Sequence, residues 1–287
     1  MSSPWKVCHI ALHAEKIFEY RDTYSLHYFD HPIFLMHYLL LLTALITIGF
    51  TSLVSVPGSP FLIGGMTQAD ISAMFATSIT PAGVTFAIWS VIYLSWIAAG
   101  LTLSGLPFSS ITKRYFPRFI HSLEEKKIHK KTIWSFSLAI FLTGVWLIPW
   151  GNIFIGSALL VMLAILGLLG YAWLHMRKSQ GMIRWSIELT LAWIIMATAL
   201  NVTVWIRYIG WDIGWPDDVI YGVSALLVLS AVVASLQYRH HAYIISGVFL
   251  WTLIGMWIAH PIELMRAVVI ICALPTILNM IYSYQKK

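Results

Sequence analysis

Aromatic side chains recur at helical spacing in three apolar segments, and their chemistry is that of stacking and hydrogen bonding. Residues three or four positions apart lie on one face of an α-helix, so each segment is predicted to present one stripe. The three stripes are Phe86, Trp89 and Tyr93; Thr143, Trp146 and Trp150; and Trp193, Ala197, Asn201 and Trp205. Aromatic faces pack against flat apolar molecules, while an amide or a phenol can fix a polar edge.

The same residues also have a purely structural explanation. Trp and Tyr collect at both surfaces of a bilayer because their rings are amphipathic, and an Asn within a span often hydrogen-bonds a neighbouring helix. Trp150 stands beside a helix end, where the interfacial explanation is favoured. Trp89, Trp193 and Asn201 lie deeper, and for them the residues alone leave ligand binding and helix packing equally open.

The segments that must position these stripes have the composition of membrane spans. Hydrophobic residues make up 59% of the 287-residue chain and charged residues 10%, whereas a soluble domain carries about 25% charged residues. A span needs about 20 apolar residues, and eight stretches reach or approach that length. They are 33–56, 82–106, 133–150, 153–176, 184–207, 218–238, 242–259 and 262–284. The chain is therefore predicted to be an all-α membrane protein with eight transmembrane helices.

Basic residues lie almost entirely on one side of this arrangement. With a cytoplasmic N-terminus, Arg207 and Arg266 are the exceptions among 18 basic residues, in agreement with the positive-inside rule. Both termini are therefore expected in the cytoplasm. The stripes then fall in the outer half of the bilayer, because the second span begins outside and the third and fifth end there. The chain has no soluble domain with a basic face, so no nucleic-acid partner is expected.

The chain divides into three parts. Residues 1–31 lack the apolar core of a signal peptide and are interpreted as an interfacial segment, either an amphipathic helix or a partly ordered tail. Residues 32–207 hold the first five spans and all three stripes. Residues 208–287 form three additional transmembrane helices, which we expect to be separable in role from a pocket built by the stripes.

Several other chemistries lack the residues that they need. Ion-coupled transport normally uses ionisable groups deep in the bundle, and the predicted spans have few of them. Glu188 is one exception, but it lies one helical turn from Arg184 near the cytoplasmic end. Cys8 and Cys272 give neither a disulfide framework nor a metal spacing, and no hydrolase or zinc-protease motif is present. We expect no catalytic residue, no metal and no required cofactor, while a tetrapyrrole-modifying activity stays open.

Two of the stripes lie in segments that resemble the tryptophan-rich sensory protein family (TspO/MBR), to which the translocator protein, or peripheral benzodiazepine receptor, also belongs. Residues 80–93, TPAGVTFAIWSVIY, resemble the second-helix signature of that family. Residues 191–205, LAWIIMATALNVTVW, resemble the fifth-helix signature nearly residue for residue. Trp146 fits the third-helix tryptophan, whereas Thr143 replaces an Asn of the family. The resemblance covers about residues 33–207 and is strongest to the longer bacterial branch, which has three further helices.

The resemblance implies a five-helix bundle with a pocket between its first, second, third and fifth helices. Family members bind planar apolar molecules there, notably porphyrins and, in some members, sterols, so a bound porphyrin or other tetrapyrrole is expected without being a required cofactor. All ten stripe residues are the implied ligand-binding residues. The implied function is that of a membrane receptor or sensor, and the alternative is a facilitative transporter of an apolar or amphipathic small molecule.

The same resemblance implies location in a bacterial inner (plasma) membrane, with the lipid bilayer as partner and a homodimer left open. The two external arginines, Arg207 and Arg266, could meet a propionate group of a ligand. The favoured interpretation is instead that they form ion pairs with acidic residues near the helix ends, namely Asp212, Asp217, Asp218 or Glu263.

Overall fold

The computed structural model describes residues 31–104, 128–176, 181–211, 217–260 and 263–285, and every regular element within them is helical. The α-helices are α1 (His31–Ser55), α2 (Gln68–Met74), α3 (Ile88–Ser104), α4 (Lys130–Gly151), α5 (Ile155–Met176), α6 (Met182–Tyr208), α7 (Asp217–His240), α8 (Tyr243–Ala259) and α9 (Glu263–Gln285). Short 3₁₀ helices occupy Ile63–Gly65 and Gly83–Ala87. The interfacial segment expected at residues 1–31 lies outside the described residues, apart from His31.

The described helices confirm an all-α membrane protein. Seven of them are long and apolar enough to cross a membrane, and α8 is a shorter apolar helix. Its 17 residues reach about 25 Å at 1.5 Å per residue, near the lower limit for a span. The eight expected spans correspond in order to α1 and α3–α9. The second span begins as the 3₁₀ helix Gly83–Ala87, so Phe86 precedes the α-helical part of its stripe.

One helix was not expected. The connection between the first two spans contains α2, whose N-terminus is closed by a reciprocal capping box between Thr67 and Asp70. The Asp70 carboxylate accepts the Thr67 backbone N–H at 2.8 Å, and the Asp70 N–H donates to the Thr67 hydroxyl at 3.2 Å. The Thr67 hydroxyl also donates to the Asp70 carboxylate at 2.7 Å. This hydrogen bond, together with the one from the Thr67 backbone N–H, holds the pKa of Asp70 below its ordinary value. A Thr-x-x-Asp sequence is a helix-start signal, so this element was visible in the sequence.

Five spans form a closed ring. Contacts run from α1 to α3, from α3 to α6, from α6 to α5, from α5 to α4 and from α4 back to α1. The remaining three spans attach to the ring through α6, which α7 and α8 contact, while α9 packs on α7 and α8. A single buried cluster includes Leu40 in α1, Ile165 in α5 and Val269 in α9. The ring and the last three helices therefore share one core.

The outward surface of the helices is apolar, as a lipid environment requires. Ile46 is 64% exposed, Leu160 69% and Leu278 63%, and they represent many similar side chains on α1, α5 and α9. Exposed apolar area of this extent marks an interaction surface in a soluble protein. Here the helices are apolar around their circumference, which is typical of membrane spans.

Candidate functional site

A cavity lies between the ring and the last three helices, at the end of the bundle that carries α2. Its volume is about 360 Å³, which lies within the range of small-molecule sites. The walls come from α1, α3, α4, α5 and α6, from the connection that holds α2, and from α7 and α8. A space of this size inside the helix bundle is the candidate functional site.

Nine of the ten stripe residues line this cavity. They are Phe86, Trp89, Tyr93, Thr143, Trp146, Trp150, Trp193, Ala197 and Asn201. The tenth, Trp205, does not line it; Trp205 packs instead against a second buried cluster that includes Ile155 and Val204. Helical periodicity therefore brings three separate segments to one site, with an exception at the end of the longest stripe.

The aromatic rings form two groups in the cavity wall. On α4, Trp146 and Trp150 stack, with ring centroids 4.9 Å apart and an interplanar angle of 24°. On α3 and α6, across the helix ring from α4, the ring centroid of Trp89 lies 5.6 Å from that of Tyr93 and 6.2 Å from that of Trp193, the latter pair edge-to-face. Such offset and edge-to-face arrangements are the favourable ones for aromatic pairs. Both groups contribute apolar ring surface to the same space.

Several buried polar atoms in this wall have no hydrogen-bond partner among the described residues. Three are the indole Nε1 atoms of Trp146, Trp150 and Trp193, and the fourth is the Oδ1 atom of Asn201. Trp150 and Trp193 are each 3% exposed and Asn201 is 4% exposed. A buried polar group without a partner costs about 1–3 kcal/mol, and native proteins contain few of them. The four residues that carry these atoms line one cavity. Each of the atoms is itself covered by the protein, so a ligand would meet it only after the side chain turns.

The orientation of the Asn201 amide follows from its local hydrogen bond. Its Nδ2 donates to the carbonyl of Ala197 at 2.9 Å, and the reverse orientation would oppose two oxygen atoms. Oδ1 is therefore the atom left to accept a hydrogen bond. Thr143 differs, because its hydroxyl already donates to the Ala139 carbonyl at 2.9 Å. Thr143 therefore offers no free hydrogen-bond donor to a molecule in the cavity.

The resemblance implied that the first span takes part in the wall, but no sequence pattern identified the residues that α1 and α2 contribute. This part consists of Thr51, Ser52, Ser55, Gln68, Ala69 and Ser72, which are small or polar. The Gln68 amide donates to the Ser55 hydroxyl at 3.1 Å and so joins the two helices at the rim. The capping box would have located α2 in the sequence, but not its position over the cavity.

Residues 208–287 were expected to be separable in role from the pocket, and the structure places part of them in the cavity wall. Two residues of α7 and three of α8 line the cavity, namely Leu226, Leu229, Phe249, Thr252 and Met256. Close packing makes this possible, because a Cβ atom on Gly255 of α8 would lie 3.0 Å from the Cβ of Thr85. The additional helices thus complete the wall.

The same helices also hold the connection between α2 and α3. The Ala82 N–H donates to the Gly255 carbonyl at 3.0 Å, and the Trp251 indole donates to the Thr85 carbonyl at 2.9 Å. The Ser78 N–H donates to the Asp218 carboxylate at 3.1 Å. These contacts fix one side of the rim to α7 and α8.

Neither Arg207 nor Arg266 has the partner that was favoured for it among the residues whose side chains the structure describes. Arg207 donates to the carbonyl of Ala76, and the Arg266 guanidinium lies 5.1 Å above the Trp257 ring. Within that part of the chain neither pairs with Asp218 or Glu263; Asp212 and the side chain of Asp217 lie outside it. Neither arginine lines the cavity, so a meeting with a propionate in the pocket has no support.

Comparison with known proteins gives one result. A family model described as TSPO-like protein matches residues 38–282, which run from α1 into α9. This is well over half of the chain, and it extends past the expected limit near residue 207. No curated protein matches, and no solved structure matches.

Proposed function

This chain belongs to the TSPO-like protein family, and on that premise we propose that it is a membrane sensor that binds a planar, largely apolar molecule. The ligand class is a tetrapyrrole or a sterol-like ring system. It would lie between α3, α4 and α6, in the cavity lined by the aromatic groups. The stripe residues that line the cavity are the proposed binding residues.

One observation carries this proposal. The cavity wall combines two groups of aromatic rings with three indole donors and one amide acceptor that have no partner among the described residues. If the stripes were only helix-packing residues, the amide and the indoles would be expected to bond to neighbouring helices. They belong instead to residues that line an internal space, as the residues of a small-molecule site do.

Facilitated transport is the alternative function, and the packing below the cavity favours binding over it. Trp96 is fully buried there, and its indole donates to the Thr190 hydroxyl at 2.8 Å. On the same helices the Ser95 and Ser186 hydroxyls lie 2.9 Å apart. A carrier would have to separate these α3–α6 contacts to open a path toward the other side of the membrane.

The test is a titration of the purified protein with protoporphyrin and other flat apolar probes, read by quenching of tryptophan fluorescence. Ala197→Leu places a larger side chain in the cavity and should reduce affinity at least tenfold with little loss of thermal stability. Ala231→Leu is the matched control, since Ala231 lies on the exposed surface of α7 and does not line the cavity. Equal affinity in both variants would refute a ligand site at Ala197.

We also propose that both termini face the cytoplasm of a bacterial cell, with the cavity in the outer half of the inner membrane. Lys130 begins α4 and Arg239 lies near the end of α7, whereas Arg207 and Arg266 lie at the opposite helix ends. Single cysteines at Ser2 and Ser283, in a chain without its natural cysteines, should resist labelling from outside intact cells. Labelling of either position from outside the cell would contradict the proposed topology.

A further inference from the structure

The cavity has an electrostatic property that narrows the proposed ligand class. We propose that it selects electrically neutral ligands, namely ring-bearing amphiphiles whose polar edge is a hydroxyl, carbonyl, ester or N–H group, over the carboxylate forms of the same ring systems. This inference rests on the proposed function and specifies its ligand. It concerns the charge of the ligand, which the aromatic residues of the wall do not determine.

The first support is the composition of the wall. Among the described residues that line the cavity there is no Asp, Glu, Lys, Arg or His. Tyr93 is the one titratable side chain in this part of the wall, and a phenol is uncharged at neutral pH. An anionic group in the cavity would therefore meet no opposite charge from these residues, and burial of an unpaired charge is strongly unfavourable.

The second support is the engagement of the cationic groups nearest to that end of the bundle. Arg207 is held by the Ala76 carbonyl, and Arg266 lies over Trp257. The Nε2 atom of His260 lies 2.9 Å from the Thr80 carbonyl oxygen. None of these three side chains lines the cavity, so none is placed to neutralise a carboxylate inside it.

The third support is the pattern of polar atoms without protein partners. The indoles of Trp146 and Trp150, near the end of α4, can only donate, while Oδ1 of Asn201 can only accept; all three residues line the cavity, and the three atoms are covered in the ligand-free wall. A hydroxyl, or a ring that carries both a carbonyl and an N–H, satisfies donors and acceptor together. A carboxylate offers no donor to Asn201 and would place negative charge against its oxygen.

The depth of the cavity orients such a ligand. Leu229 and Phe249 stand near the middle of α7 and α8 and close the inner part of the wall with apolar surface. Gln68, Ser55 and Ser72 lie at the outer rim. An amphiphile would therefore insert its apolar part toward the membrane midplane and keep its polar edge near the rim.

Two probes that share one macrocycle test the inference: protoporphyrin IX, which carries two propionates, and its dimethyl ester, which is neutral. Binding of each to the full chain in neutral-detergent micelles is measured at neutral pH by tryptophan quenching. The Ala197→Leu variant provides the reference for partition into micelles. The ester should bind at least tenfold more tightly than the free acid, a difference of about 1.4 kcal/mol.

The outcomes separate the two proposals. Equal or tighter binding of the free acid would overturn the neutral-ligand inference and leave the aromatic site intact. If neither probe binds above the Ala197→Leu reference while the protein remains folded, the proposed function and this inference both fail. Preference for the ester supports both.

A reciprocal variant tests the charge argument directly. Gln68→Arg places a cation at the half-buried rim position, where it should tighten binding of the free acid by about fivefold and leave the ester within about twofold. Gln68→Met is the matched control, because it removes the Ser55 hydrogen bond without adding charge. If Gln68→Arg does not improve binding of the free acid relative to Gln68→Met, the charge argument is wrong.

Discussion

Replacement of Asn201 by leucine should weaken ligand binding without lowering the stability of the protein. The side chain is 4% exposed, its Nδ2 donates within its own helix to Ala197, and its Oδ1 has no partner among the described residues. Leucine has a similar size and no polar atom. The substitution therefore removes one satisfied hydrogen bond and one unsatisfied acceptor together.

The two contributions to folding can be compared. Loss of an ordinary hydrogen bond costs about 1 kcal/mol, whereas removal of a buried, unsatisfied acceptor recovers about 1–3 kcal/mol. The ligand-free variant should therefore be as stable as the wild type or up to about 2 kcal/mol more stable. A ligand that donates to Oδ1 would lose that bond, which weakens binding by about 1–3 kcal/mol, or roughly 5- to 150-fold in affinity.

Both quantities can be measured on one preparation. Thermal unfolding in detergent gives the stability of the ligand-free protein, and tryptophan quenching by the neutral porphyrin ester gives the affinity. The expected result is unchanged or raised stability together with weaker binding. A variant that is less stable by more than about 1.5 kcal/mol and binds as well as the wild type would show that Asn201 joins helices, and the binding role would have to be abandoned.

Three further predictions concern the fold. Gly100→Ala should destabilise the protein by about 1–3 kcal/mol in thermal unfolding, because the added Cβ would lie 2.8 Å from the Leu41 Cα; Gly167→Ala, with nothing within 4 Å, should cost nothing. Glu188→Ala should cost about 1–3 kcal/mol, since its carboxylate lies 3.4 Å from Arg184 and the two side chains are 4% and 15% exposed; a loss below about 1 kcal/mol would show that the pair contributes little to stability. Asp70→Ala should speed hydrogen exchange in α2 by opening its capping box, and equal exchange rates would contradict that role. Because the pKa of Asp70 is lowered by folding, its contribution is present above the unfolded pKa and is lost as the pH falls through the folded value.

The length of the apolar runs predicted the spans, and helical periodicity predicted nine of the residues that line the cavity. Trp205 shows where this fails. A repeat of four exceeds the 3.6-residue turn, so each step rotates the side chain by about 40° and three steps by about 120°. Trp193 and Asn201 still face the cavity, while Trp205 has turned toward the cluster that contains Ile155.

The contribution of α7 and α8 could not be predicted for a different reason. Leu226 and Phe249 face the cavity, whereas Leu227 and Ile254 of the same helices are exposed on the outer surface. In a membrane protein the environment on both sides of such a helix is apolar, so residue type does not distinguish a lipid-facing side chain from one that lines a pocket. Which side chains of α7 and α8 line the cavity depends on how these helices pack against the ring.

The position of these two helices in the chain has a consequence for biosynthesis. Ribosomes produce α7 and α8 last among the segments that wall the cavity, so a nascent chain that ends near Tyr208 would present an aromatic trough with one side open to lipid. Acyl chains can occupy that trough until α8 is inserted and Gly255 closes against Thr85. A ligand that binds only the closed form would then favour the completed chain by mass action and distinguish it from truncated products in the same membrane.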